Sequence, residues 1–369
     1  MRVARVVPHS FRNLADAAID LGPGLTVLHG PNGAGKTNLL EAAFFALTGR
    51  SCRTRREREM IAFGADLARV EALLEPDDGE RIDPITMLAS ISSGEARRRL
   101  VDGSPAEPGD DRRRPAISIF MPDRLALVKG PPASRRAYLD RLAGALWPAR
   151  ADLPRAYAQA LAQRNSLLAR IKRGGDPEAL SAWDAALAER AVPLVAARAE
   201  AAAELAGPFE RAASDLGLAG GAEVAQITYR PRTGAESDAE AIIAELGERR
   251  AGDIARGFTG YGPHRDELEL SFGGRSLRRY GSQGQQRLGL LALLFAEREA
   301  LRSARRQLPL LLLDDVMSEL DPERRSRLVA MLEDGGQALI TATEIDHVPA
   351  SGAAELAIEG GVATARSAS

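Results

Sequence analysis

The sequence predicts an α/β fold in which a parallel sheet carries a phosphate site and a helical domain is inserted between the two halves of that site. Two observations predict the sheet: the loop GPNGAGKT follows the apolar run Leu25–His29, and the apolar run PLLLL ends at Asp314-Asp315. A third predicts the insertion, because residues 134–218 are rich in alanine, leucine and arginine and have helical spacing.

Composition is typical of a globular protein and argues against other classes. Apolar residues make up 45% of the chain, and the formal net charge is −2 with a pI near 6.2. One cysteine, Cys52, and four histidines leave little for a disulfide or a zinc site. Residues 1–13 lack the apolar core of a signal peptide, and no apolar run is long enough to span a membrane. We therefore expect a cytoplasmic protein that does not insert into a membrane.

The loop at residues 30–37 fits the Walker A pattern of a P-loop NTPase. The residues after it, Asn38 to Leu47, have helical spacing and stop before Gly49, so strand, loop and helix follow in the required order. Lys36 is expected to reach the β- and γ-phosphates, and Thr37 to bind Mg²⁺. The predicted cofactors are therefore ATP and Mg²⁺. The predicted nucleotide-binding residues are Gly30, Pro31, Asn32, Gly33, Ala34, Gly35, Lys36, Thr37 and Asn38.

Two carboxylates end the apolar run in the second half. Asp314 is predicted to hold Mg²⁺ with Thr37, directly or through water, and Asp315 lies where many related ATPases carry a glutamate that orients the attacking water. Because aspartate is one methylene shorter, we expect a weak ATPase in which Lys36, Asp314 and Asp315 are catalytic. The alternative for the aspartates is a helix N-cap. Ser318 and Asp321 follow as a predicted D-loop beside a second nucleotide.

A polar hexapeptide, SQGQQR, precedes an apolar helix and resembles the signature of ABC ATPases in variant form. Its hydroxyl, its amides and the helix dipole suit a phosphate. In the ABC class that phosphate belongs to a nucleotide on the opposite subunit, so the resemblance implies an ATP-dependent homodimer. The alternative is an amphipathic helix with a polar first turn. The predicted in-trans residues are Ser282, Gln283, Gly284 and Gln285.

Several motifs together resemble the RecF family of bacterial recombinational-repair ATPases. They are GPNGAGKTN, GRSCRTRREREMIAFG, FMPDRLALVKGPPASRRAYLD, YGPHRDEL, SQGQQR and LLLDDVMSELD, and the match extends to about residue 347. One departure from the family pattern is that Asp123-Arg124 stands where two acidic residues are expected. Thr341 and Thr343 stand near the position of the usual ABC switch histidine, as they do in RecF-like sequences. The roles of His264 and Arg265 stay open between a turn before a strand and a position near the nucleotide.

The resemblance implies an ABC-type ATPase head built from residues 1–125 and 255–369, with a helical arm at residues 126–254. Two antiparallel helices of about 35 residues each, reaching on the order of 50 Å, are expected in the arm around a turn at residues 172–177. Pro148, Pro154, Pro193 and Pro208 are expected to interrupt the arm and to exclude a long coiled coil.

Arginine clusters in the head and at the base of the arm favour contact with the backbone of duplex DNA. Solvated surface charge is the alternative for any one cluster. Aromatic residues are only 4% of the chain, so platforms for unpaired bases are not evident. The DNA-binding candidates are Arg53, Arg55, Arg56, Arg135 and Arg136.

The function expected from these features is that of an ATP-dependent DNA-binding ATPase. From the family resemblance follow a role in DNA replication and recombinational repair, binding at gaps and at junctions of single-strand and duplex DNA, and the partner RecR. Help in loading RecA onto DNA coated with single-strand-binding protein follows from it too. The alternatives are a structural, SMC-like chromosome organiser and an ABC transporter ATPase subunit; a small-molecule kinase would leave SQGQQR unexplained.

Overall fold

The computed structural model of the chain describes residues 1–54, 56–77, 83–94, 96–107, 109–110, 113–218, 223–233, 238–333, 335–349 and 352–366. Contacts divide the chain into two compact units. The first unit comprises residues 1–123 and 301–369, and the second comprises residues 124–300. In the described part of the chain, no helix is long and apolar enough to cross a membrane.

Both units contain strands and helices. The strands are β1 Arg2–His9, β2 Ile19–Asp20, β3 Leu25–His29, β4 Leu67–Glu75, β5 Ile85–Ser92, β6 Arg98–Val101, β7 Ser104–Pro105, β8 Ile117–Phe120, β9 Ala225–Arg230, β10 Glu267–Phe272, β11 Arg275–Ser276, β12 Leu310–Leu313, β13 Ala338–Ala342, β14 Ala354–Glu359 and β15 Val362–Arg366. The helices are α1 Lys36–Thr48, α2 Ala126–Lys129, α3 Pro132–Leu146, α4 Leu153–Ile171, α5 Leu180–Asp215, α6 Ala239–Glu248, α7 Arg250–Arg256, α8 Leu277–Tyr280, α9 Gln283–Arg305 and α10 Pro322–Glu333.

The first unit contains two sheets. One is antiparallel in the order β2-β1-β4-β5-β6-β7, and Asp102 and Gly103, both at positive φ, make the turn between β6 and β7. The other has the order β15-β14-β3-β13-β12-β8 and is parallel from β14 to β8. Helix α1 packs between the sheets, because its buried face shares one apolar core with strands of both.

Strand order in the parallel sheet brings the two predicted half-sites together. β13 lies between β3 and β12, and it pairs in parallel with both. The loop after β3 and the carboxylates after β12 therefore leave the sheet at the same edge, the edge formed by the carboxyl ends of the strands. The α/β fold is confirmed in this unit.

The second unit is mainly helical. Its long helix α5 packs against α3, α4 and α6 and against β9, which belongs to the antiparallel sheet β11-β10-β9. The antiparallel pair predicted around residues 172–177 is α4 and α5, so the turn is confirmed.

Two details of the predicted arm are wrong. Helix α4 has only 19 residues, whereas α5 has 36 and continues through Pro193 and Pro208. Pro193 lies on an exposed face, where the carbonyl that loses its helical hydrogen bond can bond to water instead. Pro148 and Pro154 do limit the arm, because they stand between α3 and α4 and in the first turn of α4.

The two units also differ from the domain division expected from the sequence. The first division, at residues 123 and 124, lies close to the expected one, but residues 255–300 belong by their contacts to the second unit rather than to the head. The physical reason is that β10 pairs along its length with β9, whose residues precede the expected boundary.

Candidate nucleotide site

The phosphate loop has the backbone that its glycines require. Strand β3 ends at His29 and α1 begins at Lys36, with Gly30, Gly33 and Gly35 at positive φ between them. At Gly30, a Cβ atom would lie 2.2 Å from the carbonyl oxygen of Ile358, so no other residue fits. The loop therefore opens the N-terminus of a 13-residue helix towards the pocket, the arrangement that binds phosphate.

Lys36 is held by the loop itself. Its Nζ donates to the carbonyl oxygens of Gly30 at 2.6 Å and Pro31 at 2.9 Å. Burial lowers the pKa of Lys36 from its usual value, and the negative charges of Asp315 and Asp314 oppose that shift. The ammonium group is bonded to neutral atoms, so a phosphate can replace those bonds with stronger charged ones.

Asp314 joins the two half-sites. Its Oδ1 accepts hydrogen bonds from the hydroxyls of Thr37 at 2.7 Å and Thr341 at 2.8 Å, and the residue is only 7% exposed. A hydroxyl oxygen and a carboxylate oxygen at this separation are oxygen ligands of the kind that Mg²⁺ takes, with water and phosphates completing its shell. The donor set therefore fits the predicted metal.

Asp315 lies in a special conformation beside Asp314. Its φ is 48°, in the left-handed region that aspartate and asparagine tolerate better than most residues, and its amide donates to the Thr341 hydroxyl at 2.8 Å. Its exposed carboxylate helps to line the pocket around Lys36 and Thr37. The Thr341 hydroxyl thus fixes both aspartates, because it donates to the carboxylate of Asp314 and accepts from the amide of Asp315.

The predicted D-loop residues have local partners. The Ser318 hydroxyl donates to the carbonyl oxygen of Asp315 at 3.2 Å. Asp321 accepts from the amide of Arg324 at 2.9 Å, which holds the pKa of its carboxyl below the usual value. Asp321 is therefore the N-cap of α10, and its predicted place beside a second nucleotide stays a prediction.

Arg53 lines the phosphate pocket rather than standing apart from it. Its Nη1 donates to Asn38 Oδ1 at 2.8 Å and contacts the carboxylate of Glu41 at 3.4 Å. Glu41 is fully buried, and the guanidinium of Arg12 bonds both of its oxygens, at 2.9 and 3.0 Å. One buried carboxylate thus anchors Arg53, which lines the phosphate pocket, and Arg12, which lines a neighbouring one.

A second pocket adjoins the first and shares Asn38 with it. Asn13 joins its rim to the phosphate loop, because its Nδ2 donates to the carbonyl oxygen of Gly33 at 3.0 Å and its Oδ1 accepts from Asn38 at 2.7 Å. The lining is Arg12, Asn13, Asn38, Arg58, Glu59, Ile61, Ala62, Phe63, Gly64, Ala65 and Ser93. Arg12, Asn13 and this pocket were not predicted from the sequence, where the polar pair Arg12-Asn13 after β1 is the signal that could have indicated them.

The predicted signature forms the N-terminus of α9 in the second unit. The Ser282 hydroxyl accepts from the amide of Gln285 at 3.2 Å, while the Gln285 side chain accepts from the amide of Ser282 at 2.9 Å. This reciprocal pair is a capping box, which fixes the first turn. Ser282, Gln283 and Gly284 are exposed, so the turn is accessible to a ligand.

The DNA-binding candidates are not equivalent. Arg56 is 86% exposed and has only a loose contact with Glu59, at 3.8 Å. Arg135 is 3% exposed and holds Glu267 through two bonds of 2.6 and 2.8 Å, so its proposed contact with DNA has no structural support. Arg136 is half-buried and donates to the carbonyl oxygen of Asp266 at 3.0 Å. Arg55 lies outside the described residues.

His264 takes part in a buried polar network of the second unit. Its Nδ1 lies 2.8 Å from the Tyr157 hydroxyl, and its Nε2 lies 3.1 Å from the carbonyl oxygen of Thr259. Because a carbonyl can only accept, Nε2 carries the proton and Nδ1 accepts from the tyrosine. Burial lowers the pKa of His264 to about 4, so the ring is neutral at pH 7.

Comparisons with known proteins settle the family. The model of the RecF/RecN/SMC N terminal domain matches residues 2–353. The DNA replication and repair protein RecF of Anaeromyxobacter sp. (strain Fw109-5) is 39% identical over 373 residues, covering 98% of each chain. This chain belongs to the RecF family.

Solved structures agree with the fold of this RecF-family chain. A structure of the recombination mediator protein RecF-ATPrS in the RecFOR pathway is 27% identical with a TM-score of 0.85, covering 99% of this chain and 98% of that one. The SMC head bound to the C-winged helix domain of ScpA is 15% identical with a TM-score of 0.59, covering 100% and 97%, and it supports the fold alone. The predicted family and the ABC-type head are confirmed.

Proposed function

We propose that this RecF-family chain is an ATP-dependent DNA-binding protein of replication and recombinational repair, in which ATP joins two copies on DNA. The observation that carries the proposal is that Lys36, Thr37 and Asp314 lie together at one sheet edge. The hydrogen bonds of Lys36 to the loop and of Thr37 to Asp314 are ones that a Mg²⁺-nucleotide can replace. The exposed, capped first turn of α9 is the surface that would complete the site of a second copy.

ATP binding follows from the loop and its neighbours. The amides of the loop and Lys36 hold the phosphates, and Thr37 and Asp314 hold Mg²⁺, which neutralises charge on the phosphate oxygens when it is bound. Arg53 lines the same pocket, and we propose that its guanidinium contacts a phosphate of the bound nucleotide.

The pocket beside Asn38 is the proposed place of the base. Ile61, Ala62 and Phe63 give it apolar walls, and Asn13 and Asn38 supply polar groups at the rim. We expect Phe63→Ala to weaken the binding of ATP but not that of tripolyphosphate, which has no base. Equal losses for both ligands, measured by calorimetry, would move the base elsewhere.

We expect slow hydrolysis of ATP because the side chain of Asp315 is one methylene shorter than the glutamate of related ATPases. Asp315 is proposed to orient the attacking water, and its backbone is fixed by the Thr341 hydroxyl. We expect Asp315→Asn to retain ATP and accumulate the joined state, because binding survives while water activation is lost. Turnover of ATP at an unchanged rate in that variant would contradict the assignment.

Dimerisation by ATP is tested with two variants and a control. Lys36→Ala is expected to remove nucleotide binding, whereas Ser282→Arg is expected to leave ATP binding by the monomer intact and to block pairing. Ser214→Arg, at an exposed serine of α5 in the same unit, is the matched control and pairs normally.

The measurement is sedimentation velocity with and without ATP and Mg²⁺, combined with a titration of duplex and gapped DNA. The proposal fails if ATP raises neither the dimer fraction nor the affinity for DNA. If Ser282→Arg forms the same dimer fraction with ATP as Ser214→Arg, the signature does not act in trans. That result would leave the proposal of ATP binding by each chain intact.

RecR, and through it RecA and single-strand-binding protein, are the partners that the family suggests. The structural relative is described as a mediator in the RecFOR pathway, which supports the proposal for this chain. We expect RecR from the same organism to tighten the binding to gapped DNA in the presence of ATP. No change in that affinity on adding RecR would argue against the partnership.

A further inference from the structure

A pocket of about 210 Å³ borders the antiparallel sheet of the second unit. Its lining residues all belong to that unit, and they include residues 267–270 of β10, Val128, Arg135, Arg278 and Arg279. Successive side chains of a strand point to opposite faces of the sheet, so four consecutive residues cannot line a pocket that covers one face. The pocket therefore lies along an edge of β10.

The edge of β10 on the β11 side is largely without a neighbouring strand. β9 pairs with β10 over residues 267–272, whereas β11 pairs only with the last two of them, so no strand in the described part of the chain covers the first four. Directly after β10, Gly273 donates its amide to the Val224 carbonyl oxygen on the β9 side at 3.1 Å. Because these groups alternate between the two edges of a strand, the amides and carbonyls of Leu268 and Leu270 point away from β9.

The partner of the Leu268 amide supports this direction. The amide donates to Oε1 of Glu267 at 2.9 Å, in the place where the carbonyl oxygen of a neighbouring strand would accept. Arg135 holds the same carboxylate through bonds of 2.6 and 2.8 Å and donates to the carbonyl oxygen of Gly130, after α2, at 2.9 Å. An added strand can therefore take the Leu268 amide while Glu267 keeps its charged pair with Arg135.

The pocket has two positive charges to spare. Both glutamates that line it are already paired with arginines, at 2.6 and 2.8 Å. Arg278 and Arg279 are exposed, and neither has an ion-pair partner among the residues that the structure describes. Guanidiniums beside a strand edge suit the carboxylates of an extended chain, which they can bind through two hydrogen bonds each.

We propose that the edge of β10 binds an extended, acidic segment of a partner protein, which joins the sheet as an added strand. The backbone of the segment pairs with Leu268 and Leu270, and its carboxylates pair with Arg278 and Arg279. The four residues of the edge span about 13 Å, which is enough for a short strand. A nucleic acid fits less well, because its backbone has no amide to donate to the carbonyls of the edge.

The proposed strand lies beside α8, which leads directly into the signature turn. The carbonyl oxygen of Leu277 accepts from the amide of Gly281 at 3.1 Å and from the side chain of Gln286 in α9 at 2.9 Å. A partner bound at β10 is thus held next to the helix that begins with the signature. This inference goes beyond the proposed function, because it needs neither ATP nor DNA.

The test is fluorescence anisotropy with a labelled hexapeptide that alternates aspartate and valine, in the absence of nucleotide and DNA. Valine favours the extended backbone, and aspartate supplies the negative charge. The parent protein is expected to bind this peptide at least about tenfold more tightly than a peptide with lysine in place of aspartate, because like charges repel. No binding of the aspartate peptide at millimolar concentration overturns the proposal.

A double variant tests the two arginines. Arg278→Ala with Arg279→Ala is expected to weaken binding of the aspartate peptide about 2- to 30-fold, the loss of two exposed charge pairs. Arg173→Ala with Arg190→Ala is the matched control, because it removes two exposed arginines of the same unit that each donate to a carbonyl four residues earlier. The control is expected to bind the peptide like the parent protein.

Methylation of the peptide backbone tests strand pairing, which charge alone would not require. An added strand turns alternate amides towards β10 and the others towards solvent. A peptide methylated on its three valine amides and one methylated on its three aspartate amides are therefore expected to differ, with one losing binding and the other retaining it. Equal affinity of the two methylated peptides overturns strand addition.

The remaining outcomes separate this site from nucleic acid and from the proposed function. Equal peptide affinity of the Arg278 and Arg279 double variant and its control overturns the site. Loss of affinity for duplex DNA in place of peptide assigns the two arginines to nucleic acid and also overturns it. If ATP fails to join two copies while the peptides behave as expected, the strand site stands and the ATP clamp falls.

Discussion

The nucleotide site of the first unit and the ion networks of the second unit hold charge in different ways. At the nucleotide site, Lys36 is bonded to carbonyl oxygens and Asp314 to hydroxyls, all of them neutral groups. In the second, Arg164 is bonded to Asp184 and Asp253, so each of these charges has an opposite charge beside it. Charges that are bonded to neutral groups can exchange them for a charged ligand, whereas charges bonded to each other stay together. The difference separates a site that is ready for a ligand from one that fixes a structure.

A second buried arginine repeats the pattern of the second unit. Arg198 is only 4% exposed and bonds Asp140 at 2.7 and 3.0 Å and Asp266 at 3.1 Å. Burial costs offset much of what these pairs contribute, so their expected effect is to fix geometry rather than to add stability. Variants of both kinds of buried charge distinguish a structural role from ligand binding.

Arg164→Met is expected to give the largest loss of stability. It leaves Asp184 and Asp253 buried without their partner, which costs about 3–5 kcal/mol in the free energy of unfolding. Lys36→Met is the contrasting variant and should change stability by less than about 1 kcal/mol, because only neutral carbonyls lose a partner. Urea unfolding of both variants measures the difference, and equal losses would remove the distinction between the units.

Acid is expected to destabilise the second unit through His264. Its folded pKa of about 4 lies below the ordinary value of 6.5, so the unfolded chain binds more protons between these pH values. The stabilisation is present above pH 6.5 and is lost as the pH falls towards 4, by about 3 kcal/mol. His264→Gln should lose this part of the pH dependence. A parallel fall in the unfolding midpoints of parent and variant would contradict the assignment.

Thr341→Val should weaken the nucleotide site without removing it. The variant keeps the shape of the side chain but loses the bonds to Asp314 and to the amide of Asp315, worth about 1–2 kcal/mol. We expect the affinity for ATP with Mg²⁺ to fall about 5- to 30-fold. Thr343→Val, which lines the same pocket, is the control, and calorimetry that gave the same loss for both would show that Thr341 has no special role.

Arg56→Ala is expected to produce the smallest effect. This side chain is 86% exposed, so its loss should flatten the slope of log affinity for duplex DNA against log salt by up to about 0.9 and leave stability unchanged. Arg230→Ala is the control, because Arg230 is also exposed but pairs with Glu269 at 2.8 Å. An unchanged slope for Arg56→Ala would remove this residue from the DNA face.

Prediction from sequence succeeded where the chemistry is local. The phosphate loop needs glycines at fixed positions between a strand and a helix, and Gly30, Gly35 and Lys36 lie within seven residues of one another. The helix start at the SQGQQR segment is equally local, because α9 begins at Gln283 directly after Ser282. Such patterns specify their backbone because the atoms that interact are neighbours in the chain.

Packing against a distant segment decides the burial of a side chain and the course of a helix, which the local residue pattern does not show. Arg135 and Arg56 look alike in sequence, but Arg135 is buried against Glu267, which lies 132 residues further along the chain. The predicted interruption of the helix at Pro193 is wrong for a similar reason. The packing of α5 against α3, α4 and α6 outweighs the backbone hydrogen bond that the proline cannot donate.

The sequence by itself determined the phosphate loop, the acidic strand end and the signature turn, because each depends on residues within one short segment. Only the tertiary structure decided that Thr341 fixes both aspartates, that Arg53 lines the pocket of the phosphate loop, and that Arg135 is buried against Glu267. The physical reason is that burial and pairing of charge depend on strand order and on contacts between distant segments, which residue patterns along the chain do not encode.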